Sequence, residues 1–231
     1  MKNWKRSVGV SLLAMALFSH ATALSATIAD RLEQYGPPAR ARLLPHLEQQ
    51  GISYPPRELV FVGLKEEKML EVYAKNGTNG FKLIRSYPIK AASGVAGPKL
   101  RQGDRQVPEG IYAIELLNPN SSYHLSLRIG YPNAFDREQA GREGRTNLGG
   151  DIMIHGKDLS VGCLAMGDEA AEDLFVLAAD TGIENVTVIL TPVDFRLGKK
   201  VPEAAKLPPW SEQIYVEIRK RLAELPLAKE K

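Results

Sequence analysis

Cysteine is nearly absent from this chain: among 231 residues there is one, Cys163. A single thiol excludes an internal disulfide framework and a Cys-x-x-C redox pair, so a thiol oxidoreductase is a poor reading. Histidine is scarce as well, with four residues. His46 has no second ligand at metal spacing and reads as a solvated helix-face residue; no metal and no cofactor is expected. Long hydrophobic runs are missing too: Val8 to Phe18 holds about 11 residues, where a bilayer span takes about 20. The formal net charge of +3 is carried by Lys2, Lys5 and Arg6, beyond which 27 basic residues face 27 acidic ones. A balance of that kind gives no electrostatic case for nucleic-acid or membrane binding. Repeats and low-complexity tracts are also lacking.

What is present begins with a leader. Lys2, Lys5 and Arg6 form a basic n-region, Val8 to Phe18 an apolar h-region, and Ala21-Thr22-Ala23 an A-x-A cleavage signal. Residues 1–23 therefore read as a secretory signal peptide, which predicts an exported, periplasmic protein with no transmembrane span after processing. In an oxidising compartment an odd thiol is a liability unless it is used.

Residues 151–168, DIMIHGKDLSVGCLAMGD, hold that thiol and place a histidine eight residues before it. The apolar run Ile152-Met153-Ile154 predicts a short buried strand ending at His155, and Gly156 lets the chain turn. Ser160, Gly162 and Cys163 then close a tight return. An imidazole within hydrogen-bond reach raises the thiolate fraction of a cysteine, so Cys163 is the candidate nucleophile and His155 its proton acceptor and donor. A glycine directly before a nucleophile lets a carbonyl approach the backbone, so the amides around Gly162 and Cys163 are candidates for an oxyanion hole. The plainer alternative, a small buried cysteine and a satisfied histidine, stays open on spacing alone.

The string His155-Gly156 to Ser160-Val161-Gly162-Cys163 resembles the active-site signature of the YkuD-type L,D-transpeptidase catalytic domain, in particular its YafK-like branch. Upstream, Val107-Pro108-Glu109-Gly110-Ile111-Tyr112-Ala113-Ile114 resembles that family's strand entry after a glycine-rich turn. The likeness covers roughly residues 58–192. It implies a mixed β fold with flanking helices, an α+β domain of β-sandwich or barrel-like character. It further implies a Cys thioester formed at the L-centre of diaminopimelate in a peptidoglycan stem peptide. For the YafK-like branch it implies cleavage of the link between peptidoglycan and an outer-membrane lipoprotein. The same thioester resolved by an amine would instead form 3-3 crosslinks or attach lipoprotein. The chain departs from the commoner S-H-G-C pattern, since Val161 stands at the second histidine position and cannot orient anything. What fixes the His155 tautomer is then expected to be a backbone carbonyl.

Taken in order, residues 24–57 read as a helical segment over Thr27 to Gln50, interrupted at Gly36-Pro37-Pro38. Residues 58–192 make the catalytic domain. Strands are expected at 58–64, 70–74 and 81–87, with a hairpin turn at Asn76 to Gly80, and again at 110–117 and 123–129. The stretch 91–109 reads as a long loop whose Lys99, Arg101 and Arg105 are candidates for substrate carboxylates or a solvated rim. In the strand at 123–129, His124 and Arg128 share a parity and so a face. His124 either compensates for Val161 or bonds within the sheet, and Arg128 is a candidate to clamp a diaminopimelate carboxylate. Residues 131–150 read as a lid loop carrying Arg142 and Arg145, with Arg145 a further substrate-anion candidate. Asp168 is expected to cap a helix ending at Gly182, followed by a strand at 186–190. Residues 193–231 make a linker and a last helix, 210–225. The rival functional class is a non-catalytic peptidoglycan-binding module, which would have no need of His155 and Cys163.

Overall fold

The computed structural model describes residues 25–203 and 205–227; the expected leader lies outside them. The backbone begins with α1 (Ile28–Gln49) and a meander of β1 (Glu58–Leu64), β2 (Met69–Lys75) and β3 (Lys82–Pro88). A short β4 (Ala91–Ala92) precedes the long β5 (Gly110–Ser121), β6 (His124–Ile129) and α2 (Ala134–Arg142). Then come β7 (Met153–His155), β8 (Leu164–Ala165), α3 (Asp168–Thr181), β9 (Val186–Thr191) and α4 (Ser211–Leu222). All nine strands form one mixed sheet in the order β3-β2-β1-β9-β5-β6-β7-β8-β4. Two pairs, β1–β9 and β7–β8, are parallel. The sheet does not close into a barrel, because β3 and β4 end it without meeting. Its continuity depends on β5, whose first residues pair with β9 and whose remainder from Ile114 on, with an irregularity between Ile114 and Leu116, pairs with β6.

Helices cover both faces. Leu59 and Phe61 of β1 join the core cluster that includes Leu43 and Leu47 of α1 and Leu174, Phe175 and Leu177 of α3. Val60 and Val62, on the opposite face, join Ile214, Tyr215 and Ile218 of α4. That double covering explains why β1 alternates so weakly in sequence, since a strand buried on both sides has no polar face to show.

Three expectations about elements are corrected. Helix α1 is continuous through Pro37 and Pro38. Each proline deletes an intrahelical donor, at about 3 kcal/mol in an isolated helix, but tertiary contacts oppose the break. Arg40 forks onto Asp180 with two bonds of 2.7 and 2.9 Å, and Arg42 bonds Glu172 and Asp173, all on α3. The supposed lid loop contains α2, started by a capping box in which Asn133 and Asp136 exchange side-chain to backbone bonds. Its apolar face is too small for periodicity to reveal, yet Asn133-x-x-Asp136 is a legible start signal. Asp168 is the first helical residue of α3 rather than its cap, with Gly167 at the cap position. Its Oδ1 instead accepts the Lys157 amide at 2.8 Å, stapling the loop after His155 to the helix.

Candidate active site

The site is built where β7 and β8 run side by side. In their parallel register His155 lies opposite Ala165 and Ile154 opposite Leu164. The pleat therefore turns Ile154 and Leu164 into the core and leaves Met153 and His155, with Cys163 one step before Leu164, on the other face. Cys163 is half-buried. Its sulfur accepts the Met153 amide at 3.3 Å and lies 3.6 Å from the Asp151 carbonyl oxygen, so both hydrogen-bond partners come from the segment that leads into His155. Asp151 takes a left-handed backbone, φ 53°, which aims that carbonyl at the thiol.

His155 is 3% exposed and its ring packs on Tyr123, with centroids 4.7 Å apart. Nδ1 donates to the Gly156 carbonyl at 2.6 Å, which makes Nε2 the unprotonated nitrogen of the neutral ring. A backbone carbonyl thus orients the imidazole, as the sequence led one to expect. Gly156 has a different reason from the one expected. Its φ is not positive, and a Cβ there would stand 2.5 Å from Asp168 Oδ1 and 2.8 Å from both the His124 Cβ and the Tyr123 carbonyl oxygen. The bare backbone lets the β5–β6 hairpin and α3 close onto the histidine.

Burial governs the resting protonation. It pushes the Cys163 thiol up from its ordinary value, against the Met153 amide and the charge of Lys99, while Asp151 pushes it further up. It pushes His155 down, against the Gly156 bond. At neutral pH the pair rests as thiol and neutral imidazole, and among the described residues Sγ makes no hydrogen bond to Nε2. A thiolate held in advance by His155 is therefore not the resting state.

Ser160 clamps the turn: its Oγ accepts the Cys163 amide at 3.1 Å and donates to the Cys163 carbonyl at 2.6 Å. The Gly162 amide donates to Ser93 Oγ at 2.7 Å. Both expected oxyanion donors are thus engaged by serine hydroxyls. Gly162 itself has φ 84°, where a side chain is strained.

The other candidates separate. His124 and Arg128 do not share a face, because His124 has φ 71° at the start of β6 and breaks the alternation. Its Nε2 meets Glu172 of α3 at 3.0 Å and its ring meets Tyr35 of α1, so it ties the hairpin to two helices. Arg128 stands across from Met153 and next to the sulfur-bearing pair. Its Nε is buried without a hydrogen bond, and it reaches only Glu115 at 3.4 Å and Asp151 at 3.8 Å. Lys99 is not free for substrate, being buried and bonded to Asp104 at 2.6 Å. Arg142 pairs with Glu138 on the exposed face of α2. Arg145 pairs with Glu143 at 2.7 Å and donates to the Leu100 carbonyl. Val161, two residues before Cys163, is 71% exposed.

Residues that sequence reasoning did not single out are Ser93, Tyr123, Asp151 and Glu109. The Glu109 carboxylate, wholly buried, accepts from Lys65 Nζ at 2.7 Å, the Gly97 amide at 2.8 Å and Tyr215 OH at 2.7 Å. It pins the loop carrying Ser93 between β1 and α4. A charged residue directly before Gly110 in an otherwise apolar strand entry was the available signal. Among the described residues no three His, Cys, Asp or Glu side chains converge as metal ligands.

Comparison with known proteins bears on this geometry. A family model described as the YkuD L,D-transpeptidase catalytic domain matches residues 57–194. A protein of Escherichia coli K12 named "Putative L,D-transpeptidase YafK" is 42% identical over 113 residues, 48% of this chain and 43% of that one. The match thus spans less than half the length of the curated relative. Among solved structures, the helical cell shape determining protein Pgp2 of Campylobacter jejuni aligns with a TM-score of 0.49 and 23% identity, over 64% of this chain and 51% of that one. Bd1075 of Bdellovibrio bacteriovorus aligns with a TM-score of 0.43 and 22% identity, over 73% and 55%.

Proposed function

The chain belongs to the L,D-transpeptidase catalytic-domain family, and from that membership we propose that it is an exported, periplasmic cysteine acyl enzyme acting on peptidoglycan stem peptides. The observation that carries this is the His155 tautomer: Nδ1 is committed to the Gly156 carbonyl, so Nε2 is the basic nitrogen, on the face of β7 that Cys163 shares. A neutral base and a neutral thiol are the reactants of general-base attack. The Cys163 proton passes to Nε2 as sulfur bonds to the carbonyl carbon at the L-centre of diaminopimelate. The tetrahedral oxyanion takes the Gly162 and Cys163 amides, displacing the Ser93 and Ser160 hydroxyls; one such donor contributes about 3 to 4 kcal/mol. His155 then gives its proton to the departing amine, the C–N bond breaks and a thioester remains. Water loses a proton to Nε2, its oxygen bonds to the carbonyl carbon, the C–S bond breaks and the thiol is restored.

Hydrolysis of the link between peptidoglycan and an outer-membrane lipoprotein is the favoured outcome, on the short His155-to-Cys163 interval shared with the YafK-like pattern. Arg128, without a good hydrogen-bond partner beside the sulfur-bearing pair, is the candidate clamp for the diaminopimelate carboxylate. Incubation of the purified protein with muropeptides, followed by mass spectrometry, tests the reading. Released stem peptides and a thioester adduct on Cys163 are expected. Joined products would assign transfer instead, and full activity of a Cys163→Ala protein would remove the enzyme altogether.

A further inference from the structure

Beside the nucleophile turn lies a cleft of about 580 Å³. One wall is the loop that runs from Val95 to Gln106, and the other is the C-terminal linker at Ala205, Lys206 and Pro208. The linker falls outside the 57–194 stretch matched by the family model, so this wall comes from the C-terminal segment. Gln106 joins the cleft to the site: it lines the cleft, and its carbonyl oxygen is 3.6 Å from where a Cβ on Gly162 would stand.

The charge in the cleft is uneven. Its one lining carboxylate, Asp104, is saturated by Lys99 Nζ and by the amides of Leu100, Arg101 and Gln106. Arg101 and Lys206 are exposed and make no ion pair among the described residues. Arg145 is held by a relay from α4's entry. Trp210 Nε1 donates to Glu143 Oε1 at 2.7 Å, and Glu143 Oε2 accepts Arg145 Nε at 2.7 Å. Arg145 Nη1 donates to the Leu100 carbonyl at 2.7 Å, leaving Nη2 uncommitted. The guanidinium also lies 6.0 Å from the Trp210 ring centroid. A fixed guanidinium edge, two unpaired cations and no free carboxylate make a surface that attracts an anion and repels a cation.

We propose that this cleft is a carboxylate subsite of the active site, binding an acidic residue of the peptide substrate, and that Trp210 is a positioning residue that orients Arg145 through Glu143. The inference rests on the peptide-substrate reading above, but its test does not require turnover. Calorimetric titration of the Cys163→Ala protein would use the tetrapeptide L-Ala-γ-D-Glu-meso-diaminopimelate-D-Ala in three forms. These are all carboxylates free, the one free diaminopimelate carboxylate amidated, or the C-terminal leaving-residue carboxylate amidated. Loss of one charge-assisted contact should weaken binding about tenfold or more for one amidated form, and which one identifies the residue bound. Arg101→Gln with Lys206→Gln, both at exposed positions, should bring the free peptide down towards the amidated one. Trp210→Phe keeps a ring but deletes the donor to Glu143, and should weaken the free peptide while leaving the amidated one unchanged.

Equal affinity for all three peptides, no binding of any, or an equal loss for free and amidated peptides in the variants would overturn the subsite. An unchanged free-peptide affinity in Trp210→Phe would overturn the tryptophan's part. A thioester on wild-type Cys163 with no carboxylate contrast would sink the subsite alone. The contrast without any thioester would sink the enzymatic reading and leave the subsite standing.

Discussion

Alkylation of Cys163 by iodoacetamide across pH measures how His155 and Cys163 rest. A thiol at its ordinary value of 9.0 is about 1% thiolate at pH 7, and only the thiolate reacts. Burial pushes Cys163 above that value and His155 below its own, which moves the pair further from a preformed thiolate. The rate should climb about tenfold per pH unit from 6 to 8 with no shoulder. In the His155→Ala protein the same profile is expected, because the imidazole is neutral and makes no hydrogen bond to the sulfur. Acylation by a donor peptide is another matter: there the base is needed, and its loss should cost about 10²- to 10⁴-fold. A flat alkylation rate between pH 6 and 8 that disappears in His155→Ala would mean a preformed thiolate and imidazolium pair, and would refute this account of the site.

Glu109→Gln should destabilise the protein by about 3 to 5 kcal/mol in urea titration, because it leaves the Lys65 ammonium buried without its counter-charge; a loss under 1 kcal/mol would show that Lys65 is solvated or neutral. Burial raises the Asp136 carboxyl from 3.8 to about 6. The folded chain therefore keeps a proton that the unfolded chain has lost between those values, and this group's contribution to stability falls by about 3 kcal/mol as pH rises through them. Asp136→Asn should flatten that segment of the stability-against-pH curve, and an unaltered slope would place the carboxyl in solvent. Gly156→Ala forces the hairpin and Asp168 outward, which should lower stability by about 1 to 3 kcal/mol and reduce acylation by moving the carbonyl that orients His155. An alanine variant that melts and acylates like the parent would mean that the packing around Gly156 yields freely.

Local signals reached far in this chain. The meander, the Gly-rich strand entry and the α3 pattern were all legible, because each is written in contiguous residues by apolar period or turn chemistry. Signals weaker than their surroundings misled. Gly36-Pro37-Pro38 reads as a break until Arg40 and Arg42 are seen gripping α3. The 131–150 stretch reads as a loop because α2 buries only a small face. Parity in β6 assigned His124 and Arg128 to one side, and a single left-handed residue undid it.

By itself the sequence determined most of the element types, the resemblance to a family, and the choice of Cys163 and His155 as candidates. All three depend on residues close together along the chain, where local backbone geometry constrains what neighbours can do. The tertiary structure alone decided that burial pushes the Cys163 thiol up and His155 down, that serine hydroxyls engage the Gly162 and Cys163 amides, and that Glu109 and a C-terminal linker meet the 95–106 loop. Those properties come from burial and from contacts such as Ser93 with Gly162, 69 residues apart, and Glu109 with Tyr215, 106 apart. Desolvation and hydrogen bonding act through space, and no local pattern encodes which distant segment will supply them.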